Sequence, residues 1–169
     1  MSERRILGID PGMARTGYGV VIQGSDGRLD LVACGVITTP AGQALGDRLL
    51  SLEDGIAGII EQHRPATAGV EKLFFERNVS TAMSVGQARG VAMLTLARCK
   101  VEVAEYAPAE IKQAVAGYGA ADKRQMQIMV QRLLRMDAKP TPDDVADALA
   151  IAICHAHASR TMARLEAGG

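Results

Sequence analysis

The sequence predicts an α/β fold: a mixed five-stranded sheet with helices on both faces. Three observations carry this. Ile6–Asp10 and Thr67–Glu71 are short apolar runs that each end in a carboxylate, and runs of that length read as buried strands. Thr16–Ile22 and Leu29–Ile37 are rich in strand formers and flank the turn signal Gly24-Ser25-Asp26-Gly27. Elsewhere, apolar residues recur at helical spacing over long stretches.

The 169 residues suit one domain, and 48% hydrophobic content is enough for a real core. Lys plus Arg equals Asp plus Glu at 19 each, so net charge alone points to no class of partner. Cys34, Cys99 and Cys154 have no close spacing and read as reduced, mostly buried thiols. No basic start leads into a signal-like apolar stretch, and no run is long enough to span a bilayer. A cytoplasmic protein is expected.

Taken in order, residues 4–10 form the first strand, Thr16–Ile22 the second and Leu29–Ile37 the third, in an antiparallel meander. Leu45, Leu49, Leu52, Ile56, Ile59 and Ile60 mark a helix over Gln43–His63, ended by Arg64-Pro65. Thr67–Glu71 is the fourth strand, and Lys72–Val79 a loop. The helix Ser80–Cys99 carries Gly86 and Gly90, which suggest a close approach, either to a second subunit or to the sheet. Val101–Glu105 is the fifth strand, and Pro108–Ala116 a helix broken by Gly117-Tyr118-Gly119. Met126, Met129, Val130, Leu133 and Leu134 give another helical stripe.

The last helix opens at Pro140-Thr141-Pro142, with Thr141 as N-cap, Pro142 first and Asp144 third. Val145, Ala148, Leu149, Ala152 and Ile153 are its buried stripe, and His155 and His157 read as surface or packing residues. Residues 1–160 form a single domain, with a frayed tail from 161 to 169.

Asp10 and Glu71 end two strands, and Asp144 and Asp147 project from one side of a helix. Singly, each has a plain structural use: Asp10 could start a turn, Glu71 could pair with Lys72, Asp144 could cap a helix and Asp147 could face solvent. Jointly, they point to one pocket. Four clustered carboxylates repel one another unless cations lie between them. Oxygen ligands without His or Cys favour Mg²⁺ or Mn²⁺ over zinc. Two such ions can drive an in-line phosphoryl displacement.

From Lys72 to Lys139 the chain has eleven basic residues against six acids. A basic band beside a metal site suits a nucleic-acid backbone, although solvated helix faces produce the same pattern. Phe74 follows Glu71 closely, beside Arg77 and Asn78, and an exposed ring there could stack on a base or wedge open a base step. One of the two adjacent rings, Phe74 and Phe75, is expected in the core, and Phe74 is taken as the one that meets a base.

With these residues assembled, the chain resembles the RuvC family of Holliday-junction resolvases, crossover junction endodeoxyribonucleases of the ribonuclease-H-like superfamily. The resemblance spans Ile6 to about Ser159. It rests on Gly8-Ile9-Asp10-Pro11-Gly12 with Thr16-Gly17-Tyr18-Gly19, then Val70-Glu71 with Phe74 and Asn78. Gly86-Gln87-Ala88-Arg89-Gly90-Val91-Ala92 follows, and finally Asp144-Val145-Ala146-Asp147-Ala148-Leu149. It implies a homodimer that makes paired nicks in four-way DNA junctions during recombination and repair, with two Mg²⁺ per subunit, Mn²⁺ able to substitute, and RuvA and RuvB as partners. Asp10, Glu71, Asp144 and Asp147 match the family's acids, with Asp10 expected to bridge both ions. Lys112 and Lys123 match basic positions facing DNA, and Arg89 joins the expected DNA contacts. Asp143, directly before the family pair, is an extra acid that caps the helix, acts from outside the metal shell, or competes with Asp144 as ligand. An ATPase of the actin type shares the opening strand and Asp, but no second Gly-rich phosphate loop is present.

Overall fold

Alternation along the first strand, β1 (Arg4–Asp10), sorts the core into two layers. Leu7 and Ile9 bury on one face of the sheet, and Ile6 buries on the other together with Gly8 and Asp10. Both faces are covered, so the central strands read as apolar runs rather than as alternating patterns. The computed structural model describes residues 3–73 and 79–167.

β2 (Arg15–Gln23) pairs antiparallel with β1, and β3 (Leu29–Thr38) pairs antiparallel with β2. β4 (Thr67–Glu71) runs parallel to β1, and β5 (Glu102–Tyr106) parallel to β4. The order across the sheet is β3-β2-β1-β4-β5, the mixed five-stranded sheet expected. One face is covered by α1 (Leu45–His63) and α2 (Val79–Arg98), through Leu52, Ile56, Ile60, Ala88, Ala92 and Leu96. The other is covered by α3 (Pro108–Ala116), α4 (Lys123–Leu133) and α5 (Asp143–Ala167).

α5 lies directly on sheet backbone. A Cβ placed on Gly8 would come within 2.1 Å of the Ala148 carbonyl oxygen, and one on Gly17 within 2.0 Å of the Asp144 carbonyl oxygen. Only glycine leaves room for that approach. Farther along α5, His155 is buried and takes two partners from the sheet. Its Nε2 is 2.8 Å from Thr67 Oγ1, and its Nδ1 is 2.6 Å from the Tyr106 hydroxyl. Burial, helped by the Arg4 charge, pushes its pKa down to about 4, so the ring is neutral and pins α5 to β4 and β5. His157 approaches the Ala114 carbonyl at 3.3 Å. Both histidines are packing residues.

Several local expectations change. α5 begins at Asp143, so Thr141 does not stand directly before its first turn as an N-cap would. The helix continues to Ala167, past the point where a frayed tail was expected; Met, Ala, Arg, Leu and Glu in that stretch are strong helix formers. Cys99 is exposed, because α2 ends just before it; Cys34 is half-buried and Cys154 buried. Gly86 and Gly90 make no tight approach to the sheet: a Cβ on Gly86 would meet Leu73 at an ordinary 3.7 Å, and one on Gly90 would meet nothing within 4 Å. None of the described helices is long and apolar enough to cross a membrane.

Candidate active site

The site is assembled at the carboxyl ends of the parallel strands, the usual location for ligands in such sheets. Asp10 is the last residue of β1 and Glu71 the last of β4. The two strands pair through Ile9 and Val70, which brings the next residue of each, Asp10 and Glu71, side by side at the strand ends. The turn after Asp10 is held by Thr16, whose hydroxyl donates to the Gly12 carbonyl at 2.8 Å and accepts from the Gly12 amide at 3.2 Å. Arg48 reinforces the same loop from α1, bonding the Met13 carbonyl at 3.2 Å and Thr39 Oγ1 at 3.1 Å.

α5 supplies the remaining acids. Its contact with Gly17, the β2 partner of Asp10, sets Asp144 over the end of β1. Asp147 lies one turn further along the helix and lines a cleft of about 320 Å³ with Glu71, Ile111, Lys112, Lys123 and Met126. Asp122 caps α4 by accepting the Gln125 amide at 2.8 Å, and so fixes where the adjacent Lys123 emerges.

The four acids share one region: Asp10 and Glu71 end paired strands, Asp147 lines the same cleft as Glu71, and Asp144 sits on Gly17, the partner of Asp10. Asp10 is pushed up to about 7, by burial first and then by Asp147, Glu71 and Asp144, while Lys123 pulls it down. Glu71 is raised by burial and Asp147, with Lys112 opposing. Asp147 is raised by burial, Asp143 and Asp144, against a lowering by Lys123. The acids do not form a closed cage: among the described residues, no three Asp, Glu, His or Cys side chains stand close enough to hold one ion. Asp144 is paired with Arg15, whose Nη2 is 3.0 Å from its Oδ2. Apart from that ion pair, the oxygen is buried without an aligned hydrogen bond, and a hard cation would satisfy it. The donor set is all oxygen, and its charges repel one another. The residues present therefore fit Mg²⁺ or Mn²⁺.

Asp143 and Asp144 point different ways. Asp143 takes Lys123 Nζ at 3.3 Å and Gln127 Nε2 at 2.9 Å, tying α5 to α4. Asp144 reaches Arg15 on β2 instead. Of the expected DNA contacts, Lys112 and Lys123 line the cleft. Arg89 is instead turned into the fold, 2.7 Å from Glu105 Oε2, with a long contact to the Glu71 carbonyl at 3.4 Å. It braces the strand that carries Glu71, because α2 directs it against β5 rather than outward. Phe74, Arg77 and Asn78 lie outside the described residues. The basic band is not one surface either: Arg98 pairs with Glu53 and Arg135 with Asp30 on separate parts of the molecule. Sequence reasoning missed Arg15, because its partner is remote in the chain and a turn arginine reads as solvated.

A family model described as "Crossover junction endodeoxyribonuclease RuvC" matches residues 6–155. A protein of that name from Roseiflexus sp. (strain RS-1) is 55% identical over 168 residues, covering 99% of both chains. The structure of Thermus thermophilus RuvC in complex with Holliday junction substrate superposes with a TM-score of 0.88 at 33% identity, covering 94% of this chain and 96% of that one. The yeast mitochondrial resolvase Ydc2 shares the fold alone, with a TM-score of 0.63 at 14% identity over 90% of this chain and 79% of that one.

The raised Asp10 pKa has a measurable sign. Between an unfolded value near 3.8 and a folded value of about 7, the native state holds the extra proton, so stability from this group is full at low pH and falls as pH rises through that window. In cation-free buffer with chelator, D10N should become progressively more stable relative to wild type from pH 4 to pH 7 and level off above. Equal pH profiles in thermal unfolding would show that burial and the neighbouring carboxylates do not raise Asp10.

Proposed function

The chain belongs to the RuvC family of crossover junction endodeoxyribonucleases, and from that premise we propose that it resolves four-way DNA junctions by paired, symmetric nicks in recombination and repair. What supports this reading is that Asp10 and Glu71 end two paired strands, with Asp147 in the same cleft as Glu71 and Asp144 seated on Gly17, the partner of Asp10. Asp10, Glu71, Asp144 and Asp147 would hold two Mg²⁺, with Mn²⁺ able to substitute. When bound, the ions supply an activated water and stabilise the leaving oxygen of a phosphodiester.

The chain's own groups do the rest. Lys112 and Lys123 flank the acids in the cleft and hold the phosphate backbone close to them. Their positive charge also offsets charge developing on the scissile phosphate. Burial of Asp10 keeps bulk water from screening these interactions. Phe74, with Arg77 and Asn78, follows Glu71 in the chain and is assigned to the bases and backbone beside the cut.

The working unit is a homodimer, since a two-fold enzyme matches a roughly two-fold junction and places one site on each of two strands. Its support is an apolar stripe on α2, where Met83 and Leu94 are 62% and 52% exposed and Gly90 stands open between them. Residues 1–160 act as one nuclease domain in the cytoplasm, together with the RuvA and RuvB branch-migration proteins.

A synthetic mobile four-way junction tests the activity. Wild type should nick two strands of like polarity with Mg²⁺ and none with chelator, and RuvA with RuvB should change where the cuts fall. Loss of a group one step removed from a bound metal already costs roughly 10–100-fold, so D147N should lose more than about a hundredfold in cleavage while still binding the junction. Near-normal cutting by D147N removes it from the machinery. L94D should sediment as a monomer; an unchanged dimer would move the interface off α2.

A further inference from the structure

Arg15, the first residue of β2, is the least expected member of the site. Its side chain is 53% exposed, yet its guanidinium reaches Asp144 Oδ2 at 3.0 Å. That oxygen is itself shut off from water and lacks any aligned hydrogen bond. Its backbone cannot drift away, because the Asp144 carbonyl is seated on Gly17, two residues beyond Arg15. The nearby Lys123 does not serve Asp144, being bonded to Asp143. Asp144 is thus a carboxylate whose buried oxygen rests on a borrowed and half-solvated charge. Ion pairs with one exposed partner are weak and exchange readily. A buried anionic oxygen without hydrogen bonds, in contrast, is costly and gains much from a hard cation.

We propose that Arg15 is a resident counter-ion of the active site, which a divalent cation must displace from Asp144 before the site is loaded. This rests on the reading of Asp144 as a cation ligand. The displacement is an exchange of non-covalent partners: the Arg15–Asp144 contact opens, the cation takes the freed oxygen, and Arg15 returns to solvent at the rim. Arg15 therefore lowers the cation affinity of the free protein, and it acts as a positioning residue for Asp144 rather than as a catalytic one.

The test uses the full chain without DNA and reads Mn²⁺ binding directly, by calorimetry and by the electron paramagnetic resonance signal of free Mn²⁺. R15Q removes the competitor and should tighten Mn²⁺ binding roughly two- to fivefold, the range set by a half-exposed ion pair. Placed on a D144N background, R15Q should give no gain. Equal or weaker binding by R15Q overturns the proposal. So does a gain that persists in full with D144N, since that would reflect a general loss of positive charge. If D144N alone binds Mn²⁺ as wild type does, the ligand assignment of Asp144 fails, and this inference fails with it. If D144N weakens binding and R15Q changes nothing, only the counter-ion role is lost.

Discussion

The structure depends on a helix seated on bare backbone. α5 touches β1 and β2 where Gly8 and Gly17 carry no side chain, so main chain meets main chain at Ala148 and Asp144. Ordinary helix-on-sheet packing keeps a layer of side chains between the two. Here that layer is missing under one part of the helix, and its first turns come down onto the ends of the strands. His155 then fastens the same helix to β4 and β5 through Thr67 and Tyr106. The helix is registered at several points, and its register places the acidic residues.

The seat gathers negative charge that the protein alone does not fully offset. Burial and mutual repulsion raise Asp10, Glu71 and Asp147 together, so folding positions these groups at a cost to stability. Three cations of the chain relieve part of it: Lys112 by Glu71, Lys123 by Asp147, Asp143 and Asp10, and Arg15 by Asp144. Such a cluster is unstable by itself and receptive to hard divalent ions, a common arrangement for functional carboxylates. The apolar support behind it is fully buried, with Ile6, Leu7, Ile9 and Val70 closed to solvent. A firm scaffold under a strained polar rim keeps the acids from relaxing apart.

Much of this was legible before any coordinates. The strands and helices announce themselves by period, and an acid ending an apolar run stands out because burying it needs a reason. That reasoning singled out Asp10 and Glu71 at strand ends, and helix spacing added Asp144 and Asp147; only as a set did they point to one pocket. Other features were hidden for identifiable causes. Adjacent helical residues differ by about 100° in direction, so which of Asp143 and Asp144 faces the strands depends on how the helix is rolled. Arg89 looked like a free cation because its partner, Glu105, lies on a strand read separately. Arg15 gave no local sign of its distant mate. Gly8 and Gly17 were visible as motif letters, but their use as a seat for α5 appears only when the helix is docked.

The central claim is that acids from three separate stretches of the chain converge on one cation-binding region. The most direct measurement replaces Mg²⁺ with Fe²⁺ and, with ascorbate and peroxide, lets the bound iron cut the polypeptide around it. Fragment mapping should show cleavage near Asp10, near Glu71 and near Asp144–Asp147 together, all suppressed by excess Mg²⁺. Cuts confined to one stretch, or cuts indifferent to Mg²⁺, would contradict a shared site.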